Sequence, residues 1–298
     1  MGSINSIYLL IYLLLLNACN QPLPNKMSKQ TEYNLENPTL SLKLSKELRE
    51  ISGIAYFDKD QAIAIQDERA VLYYLSLNDG AISDSISFGE DGDFEGIAVN
   101  DENIFVLRSD GYIFIIPQHP GDYSKIKKVN TFLDNRHDCE GICYNPLTKN
   151  LLISCKENPE ETEEPLRNIY NFSLQNEMIE KNPLFNIRLS DIKNYLNNAT
   201  DYSGIDELKE YFQDDTEDFF YPSDIAVHPK SGDIYICSAK AISILMVIGQ
   251  DGQLKDIQLI PEEVLPQAEG ISFKPNGDLI LCSEGKVKEE RLFIYTAQ

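Results

Sequence analysis

Short apolar runs that alternate with polar residues recur along most of the chain, with turn sequences between them. Residues 95–133 contain four such runs, "EGIAV", "NIFVLRS", "YIFIIP" and "IKKVNTFL", and residues 223–260 contain "SDIAV", "DIYICSA", "SILMVIG" and "LKDIQLI". Alternation with a period of two predicts β-strands, and sequences such as "SDG", "KSGD" and "QDG" predict tight turns. The pattern therefore predicts an all-β chain built from four-stranded antiparallel units.

The first strand of each unit carries a repeated step, seen in "FEGIAV" (94–99), "CEGICY" (139–144) and "AEGISF" (268–273). Weaker copies are "ISGIAY" (51–56) and "PSDIAV" (222–227). We call the residue that precedes the Gly-Ile or Asp-Ile pair the index residue. Its spacings along the chain are 43, 45, 83 and 46 residues, and the five positions are Ser52, Glu95, Glu140, Ser223 and Glu269. A period in the forties with four strands per repeat predicts a β-propeller.

The spacings predict five blades, with six as the alternative that the interval of 83 residues leaves open. We interpret residues 191–222 as an acidic, partly helical insert, because too few residues remain there for a sixth set of four strands. The last repeat supplies three strands and ends near "RLFIYTA", whereas "TLSLKLS" (39–45) precedes the first index residue. We expect this N-terminal strand to complete the last blade and to close the ring, which removes two exposed sheet edges.

The N-terminal region predicts export and a lipid anchor. An apolar run, "IYLLIYLLLL" (7–16), has the length of a signal-peptide core and is followed by "LNAC", which resembles a bacterial lipobox ending at Cys19. The predicted organisation is a signal peptide at 1–18, a lipidated Cys19 with a flexible tether at 19–38, and the propeller at 39–298. N-myristoylation at "MGSINS" and a plain buried first helix are the alternatives. The expected location is the periplasmic or outer-membrane side of a bacterial membrane.

Charge and cysteine content narrow the possible partners. The net charge of −22, with 48 acidic residues, argues against a nucleic-acid partner and favours cations or basic groups. We expect a monomer. Five cysteines remain beyond Cys19, an odd number, and four of them lie in apolar strand-like runs, so we interpret them as small buried hydrophobic residues. Their spacing does not suggest a zinc site.

The glutamates among the index residues are the candidate site. The first strand of a blade lines the central channel, and the second returns to the same end of it, so acidic residues far apart in sequence should meet there. The predicted calcium ligands are Glu95, Glu140, Glu269, Glu284, Asp67 and Glu157, with Glu68 and Asp110 nearby. Converging carboxylates must be protonated, pair with bases or bind a cation, and oxygen ligands suit Ca²⁺. The alternatives are that each glutamate only accepts backbone hydrogen bonds, or pairs with bases such as Arg69, Arg108, Arg136 or Lys156.

Two long motifs, "CEGICYNPLTKNLLISCKENP" (139–159) and "LPQAEGISFKPNGDLILCSEG" (265–285), resemble the SdiA-regulated, YjiK-type family of membrane-anchored bacterial propellers. The resemblance spans roughly residues 48–298 and implies a propeller outside the cytoplasmic membrane with calcium at the channel mouth. A biochemical role is not established for that family. The chain departs from the pattern at Asp224, where the family has glycine, and we expect this residue to alter the local backbone.

Three functions follow from these features. The first is a calcium-stabilised binding module for a small molecule or protein at the channel mouth. The second is a calcium-dependent propeller hydrolase, phytase-like or lactonase-like, for which His137 and Arg136 in "NRHDCEG" (135–141) are candidate catalytic residues. The alternative for His137 is a solvated loop residue. The third is a protein scaffold that uses the aromatic and acidic residues of the insert, although these aromatics could instead pack the insert onto the ring.

Overall fold

A computed structural model describes residues 32–297, apart from residues 119, 201, 215, 217, 218 and 287. In this part of the chain, five antiparallel sheets surround a central axis. The predictions of an all-β fold and of a five-bladed propeller are confirmed. Cys19 and the predicted signal peptide lie outside the described residues. No helix in the described part of the chain is both long and apolar enough to cross a membrane.

The strands follow one another from the channel outwards, except that the last two strands of blade 3 both pair with its third strand. The chain begins with β1 (Leu40–Lys43), and blade 1 contains β2 (Ile51–Asp58), β3 (Gln61–Gln66), β4 (Val71–Ser76) and β5 (Ile82–Ser87). Blade 2 contains β6 (Phe94–Val99), β7 (Asn103–Arg108), β8 (Ile113–Pro117) and β9 (Lys127–Val129). Blade 3 contains β10 (Cys139–Asn145), β11 (Asn150–Cys155), β12 (Leu166–Ser173), β13 (Met178–Ile179) and β14 (Phe185–Arg188). Blade 4 contains β15 (Pro222–Val227), β16 (Ile234–Ser238), β17 (Ile244–Ile248) and β18 (Leu254–Leu259). Blade 5 contains β19 (Ala268–Phe273), β20 (Leu279–Ser283) and β21 (Arg291–Tyr295).

The first strand of the domain closes the ring, as predicted. Strand β1 pairs antiparallel with β21, so that Leu40 lies opposite Ile294 and Lys43 lies opposite Arg291. The last blade therefore takes its fourth strand from the opposite end of the domain. This arrangement covers the outer edge of β21 and ties the two ends of the propeller together.

The predicted insert is helical and packs on the ring. Helices α1 (Leu189–Asn198) and α2 (Ile205–Tyr211) contact each other and the outer strand β18. Four aromatic residues of the acidic segment are buried: Phe212, Phe219, Phe220 and Tyr221. Phe219 stacks on the buried guanidinium of Arg167, with 4.7 Å between Cζ and the ring centroid. These aromatics therefore hold the insert against the propeller, in agreement with the packing interpretation of the segment.

The packed part of the chain starts earlier than residue 39. Tyr33 and Leu35, which fall in the predicted tether, are buried in an apolar cluster with residues of blades 4 and 5. The Tyr33 hydroxyl donates to the carbonyl oxygen of Gly277 at 2.6 Å, in the turn between β19 and β20. This turn lies at the end of the channel opposite the index residues. The chain therefore joins the propeller at that opposite end.

The side chains that line the channel at that end are mostly apolar. A cavity of about 200 Å³ is lined by the later residues of all five inner strands, including Tyr56, Tyr144 and Phe273. Its lining begins at the isoleucine of each Gly-Ile or Asp-Ile pair and does not reach the index residues. The two ends of the axis thus differ in chemistry, with acids at one end and apolar side chains at the other.

Candidate functional site

A β-bulge at the index residue starts the inner strand of every blade. In blade 2, Phe94 lies opposite Arg108 but Gly96 lies opposite Leu107, so Glu95 is the extra residue. The same register shift occurs at each index residue, namely Ser52, Glu95, Glu140, Ser223 and Glu269. A bulge re-aims a side chain and increases the local twist of the strand. The repeated sequence step therefore brings five side chains to one end of the channel, which we call the mouth.

The glycine after the index residue allows the inner strands to approach each other closely. A Cβ atom added to Gly96 would lie 2.9 Å from the backbone nitrogen of Ile142 in the next blade. One added to Gly141 would lie 2.8 Å from the Cα atom of Asp224. A larger residue would push the blades apart, so this glycine sets the narrow bore of the channel.

The two serine index residues connect blades to one another. The Ser52 hydroxyl donates to the carbonyl oxygen of Phe94 at 2.6 Å, and the Ser223 hydroxyl donates to that of Ala268. Each bond reaches the residue just before the next blade's index residue. The serines are therefore structural, and the three glutamates remain as the candidate functional groups.

Glu140 forms an ion pair with Lys156 at the mouth. Its Oε1 lies 2.7 Å from the Lys156 Nζ, and the Glu140 side chain is only 9% exposed. Burial raises the pKa of Glu140 to about 7, although the attraction of Lys156 opposes the rise. Burial lowers the pKa of Lys156, but Glu140, Asp138 and Glu95 outweigh it, so its pKa is raised and it stays charged.

Glu95 and Glu269 lie within electrostatic range of this ion pair. Burial, the charge of Glu140 and the neighbouring Asp93 raise the pKa of Glu95 to about 9. Burial, Glu140 and Glu284 raise the pKa of Glu269 to about 8. Lys156 lowers both pKa values, so one ammonium group is shared by the three glutamates. The mouth therefore collects more carboxylates than the cations beside them can neutralise.

The other predicted rim acids differ from one another in burial and in their partners. Glu284 is buried and pairs with Lys286, with 2.6 Å between Oε1 and Nζ. Burial and Glu50 raise the pKa of Asp67, whose Oδ1 is buried without a hydrogen-bond partner among the described residues. Glu157 is exposed on its loop. Asp110 forms a two-point salt bridge with Arg108, at 2.7 and 2.6 Å.

Asp224 is an axial residue whose role the sequence reasoning missed. It is 1% exposed, and its two carboxyl oxygens accept the N–H groups of Ile225 at 2.8 Å and Ile271 at 2.9 Å. The backbone N–H of Ile142 also acts on this carboxyl group. These donors belong to three consecutive blades, so Asp224 fills the channel just below the glutamates. Burial nevertheless raises its pKa well above the usual range, because the N–H groups only partly replace water.

The two candidate catalytic residues are both engaged by Asp134. The Arg136 guanidinium donates to Oδ2 of this carboxylate, at 3.0 Å from Nε and 2.6 Å from a terminal nitrogen, and its Nε also lies 3.2 Å from Oδ1. The buried His137 ring accepts the N–H of Asp134 at its Nδ1, at 3.1 Å. The ring is therefore part of the loop's packing and not a solvated side chain, and both residues shape the turn that leads into β10.

The fit of a calcium ion can be judged from these contacts. The carboxylate oxygens at the mouth are the ligand type that Ca²⁺ prefers. Among the described residues, however, no three His, Cys, Asp or Glu side chains group closely enough to hold a metal ion. Glu140, the most buried of the three glutamates, is bonded to Lys156. The arrangement does not fit a resident calcium ion while this ion pair is closed.

Comparison with solved structures supports the propeller fold where the TM-score exceeds 0.5. Glutaminyl cyclase of Myxococcus xanthus superposes with a TM-score of 0.54 at 13% identity, covering 87% of this chain and 95% of the other. Virginiamycin B lyase from Staphylococcus aureus gives a TM-score of 0.43 at 14% identity, covering 85% and 73%. Identities this low show the fold alone. No curated protein matches the chain.

The sequence shows to which protein family the chain belongs. The model of the SdiA-regulated family matches residues 28–287, which is most of the chain and includes the inner strand of every blade. The match contains both long motifs that carry the index glutamates Glu140 and Glu269. By this match, and with the five bulged inner strands as its structural counterpart, the chain belongs to the SdiA-regulated family.

Proposed function

We propose that the protein is a membrane-anchored, extracytoplasmic binding module whose mouth takes up a positively charged group. The observation that carries this proposal is that Glu95, Glu140 and Glu269 all interact with the ammonium group of Lys156, while Lys286 also acts on Glu269. Carboxylates that are held together away from water gain stability from any cation that can enter. The entering group is a divalent cation such as Ca²⁺ or the cationic part of a ligand, and either must take over part of the role of Lys156.

Binding accounts for the mouth better than hydrolysis does. A hydrolase needs a base or acid within hydrogen-bond reach of the reacting group. His137 and Arg136 are both held by Asp134 in the loop before β10. The two candidate catalytic residues are therefore engaged within the loop, and we retain the binding role.

The proposed anchor agrees with the way the chain meets the propeller. Cys19 precedes Tyr33 by 14 residues, which can span at most about 48 Å when fully extended. Since Tyr33 docks at the end opposite the mouth, a lipid on Cys19 would hold that end near the membrane. The mouth would then face away from the lipid surface, towards ligands in the aqueous phase.

The cation proposal is tested on four purified proteins, which are the wild type, two variants of the ion pair and one control variant. Calcium binding is measured by titration calorimetry and by melting with EDTA or CaCl₂, and an organic diamine replaces Ca²⁺ in a second series to separate a metal ion from an ammonium ligand. Glu140→Gln should weaken binding of whichever cation is taken up, because it removes a buried carboxylate. Lys156→Gln should strengthen it, because the competing ammonium is gone.

The control for the charge change is Glu157→Gln, which removes one exposed carboxylate from the adjoining loop. It should leave both binding and the melting temperature close to wild type. If neither cation series responds to Glu140→Gln or Lys156→Gln more than to this control, the mouth is a structural ion-pair cluster and the proposal is wrong.

The anchor is tested separately in cells. Wild-type protein should incorporate a labelled fatty acid and sediment with membranes, whereas Cys19→Ser should do neither. Incorporation of label by the Cys19→Ser variant would exclude this residue as the anchor.

A further inference from the structure

Two cysteines lie side by side directly behind the Glu140–Lys156 ion pair. Cys139 on β10 is the register partner of Cys155 on β11, and their Sγ atoms are 3.8 Å apart. Both residues are fully buried. In chain order each one immediately precedes a member of the ion pair. A covalent link here would therefore act on the residues that form the mouth.

The backbone geometry at this position suits a cross-strand disulfide. The Cys139 N–H donates to Ser109 in the neighbouring blade at 3.0 Å, and therefore not to β11. The flanking bond runs from the Lys156 N–H to the Asp138 carbonyl at 2.8 Å. Cys139 and Cys155 thus form a non-hydrogen-bonded pair, in which the Cα atoms of antiparallel strands are about 4.5 Å apart. That separation lies within the range of natural disulfides, about 4.4–6.8 Å.

The pair is specific to blade 3. The corresponding register partners in the other blades are Ile51 with Gln66, Phe94 with Arg108, Pro222 with Ser238, and Ala268 with Ser283. Of the other cysteines, Cys237 directs its Sγ at the carbonyl oxygen of Asp224, at 3.7 Å. An odd number of cysteines in the propeller is compatible with one bond, which leaves the buried Cys143, Cys237 and Cys282 as free thiols.

We propose that Cys139 and Cys155 form a disulfide bond in the exported protein. The inference rests on the proposed extracytoplasmic location, because the cytosol keeps thiols reduced. The two thiols lose two protons and two electrons to the disulfide of an oxidised dithiol catalyst or of oxidised glutathione, which becomes two thiols through a mixed disulfide.

Burial of the two thiols limits the stage of folding at which the disulfide bond can form. In the folded chain both sulfur atoms are out of contact with solvent, and burial raises the pKa of the Cys155 thiol well above its usual range. The reactive thiolate is then scarce, since only the thiolate attacks a disulfide. The bond therefore forms while β10 and β11 are pairing and before blade 3 is covered by its neighbours.

The bond would hold the mouth in its binding geometry. It fixes the register of β10 against β11 next to the bulge that carries Glu140. The same register brings the Glu140 Oε1 to within 2.7 Å of the Lys156 Nζ. The strands already hold the ion pair at this distance with both thiols free, so oxidation would add a covalent link that stabilises an existing register.

Peptide mapping tests the bond on the full chain. The denatured, reduced protein is refolded in a buffer of reduced and oxidised glutathione, free thiols are blocked, and the chain is digested with trypsin without reduction. Cys155 lies in the tryptic peptide 150–156, and Cys139 shares the peptide 137–149 with Cys143. We expect these two peptides to be joined in the wild type and in Cys143→Ser, but separate in Cys139→Ser and Cys155→Ser.

Two results of the peptide mapping would contradict the disulfide proposal. Recovery of both peptides with all thiols blocked in refolded, natively melting wild type overturns the proposal, as does a link that persists in Cys139→Ser. Because the assay uses purified protein, its failure is independent of the anchor, which the Cys19→Ser experiment examines in cells. As a second readout, we expect the Cys143→Ser protein to melt at a higher temperature when it is oxidised than when it is reduced. Equal melting temperatures would show that the bond does not stabilise the pairing of β10 with β11.

Discussion

Replacing Asp224 removes an acceptor that three neighbouring blades share. Its carboxyl oxygens accept the N–H groups of Ile225 and Ile271, and the N–H of Ile142 also acts on it. Asp224→Ala leaves at least the first two of these donors without an acceptor at a fully buried position. Asp224→Asn keeps the size of the side chain but turns one oxygen into a donor, which then faces an N–H group.

The size of each effect follows from the number of donors affected. A buried donor left without an acceptor costs about 1–3 kcal/mol, so Asp224→Ala should lower the free energy of unfolding by about 2–6 kcal/mol. Asp224→Asn affects one donor and should cost about half as much, about 1–3 kcal/mol. The cost of burying a charge opposes this effect, because asparagine is neutral. The raised pKa of Asp224 limits that gain, since a proton can already relieve the charge in the wild type.

Urea unfolding followed by circular dichroism measures both variants, with melting temperatures as a second readout. At about 2 °C for each kcal/mol in a domain of this size, Asp224→Ala should lower the melting temperature by at least about 4 °C. The expected order of stability is wild type, then Asp224→Asn, then Asp224→Ala. An asparagine variant as stable as the wild type would refute the reasoning, because charge burial would then outweigh the hydrogen bonds.

Two further predictions concern the mouth and the opposite end. Because burial, Glu140 and Asp93 raise the pKa of Glu95 from 4.5 to about 9 against the opposing effect of Lys156, its stabilising contribution is present below about pH 4.5 and is lost as the pH rises through about 9. Glu95→Gln should therefore gain stability relative to the wild type from pH 5 to pH 9 in urea unfolding, whereas parallel profiles would contradict the raised pKa. Tyr33→Phe should cost about 1 kcal/mol by losing the bond to Gly277, and Tyr33→Ala about 3–5 kcal/mol by leaving a cavity. Limited proteolysis near residue 33 should follow the same order, and an unchanged alanine variant would show that this segment does not hold the chain to the propeller.

The propeller could be predicted from sequence because its repeat consists of short sequence patterns at a regular spacing. Alternating apolar runs define the strands, and the spacing of the index residues sets the blade count. The same spacing showed that residues 191–222 are additional, and the leftover strand at the N-terminus indicated how the ring closes. Each of these features can be recognised from the sequence alone, so predicting them did not require knowledge of the three-dimensional contacts.

The details of the site depend on contacts between blades, which the sequence does not specify directly. The convergence of Glu95, Glu140 and Glu269 followed from ring geometry, but the bulges that aim them arise from register shifts between strands. The prediction that Asp224 alters the backbone missed its side-chain role, because its donors come from blades 3, 4 and 5. The pairing of Lys156 with Glu140 was one of several possible charge pairs until the positions of both strands were known.

The position of Asp224 also limits what the mouth can bind. The apolar cavity at the opposite end starts below the level of Asp224, and the carboxyl group of this residue bridges the blades between the cavity and the glutamates. Under the proposed function, a ligand that enters at the mouth meets the carboxyl groups of the glutamates and then Asp224 before it reaches the apolar side chains of the channel. Such a site selects for charge and small size, because an extended apolar group would find no surface to cover. Cation exchange with Lys156 is consequently the interaction that this geometry favours, and the apolar cavity belongs to the end where Tyr33 docks.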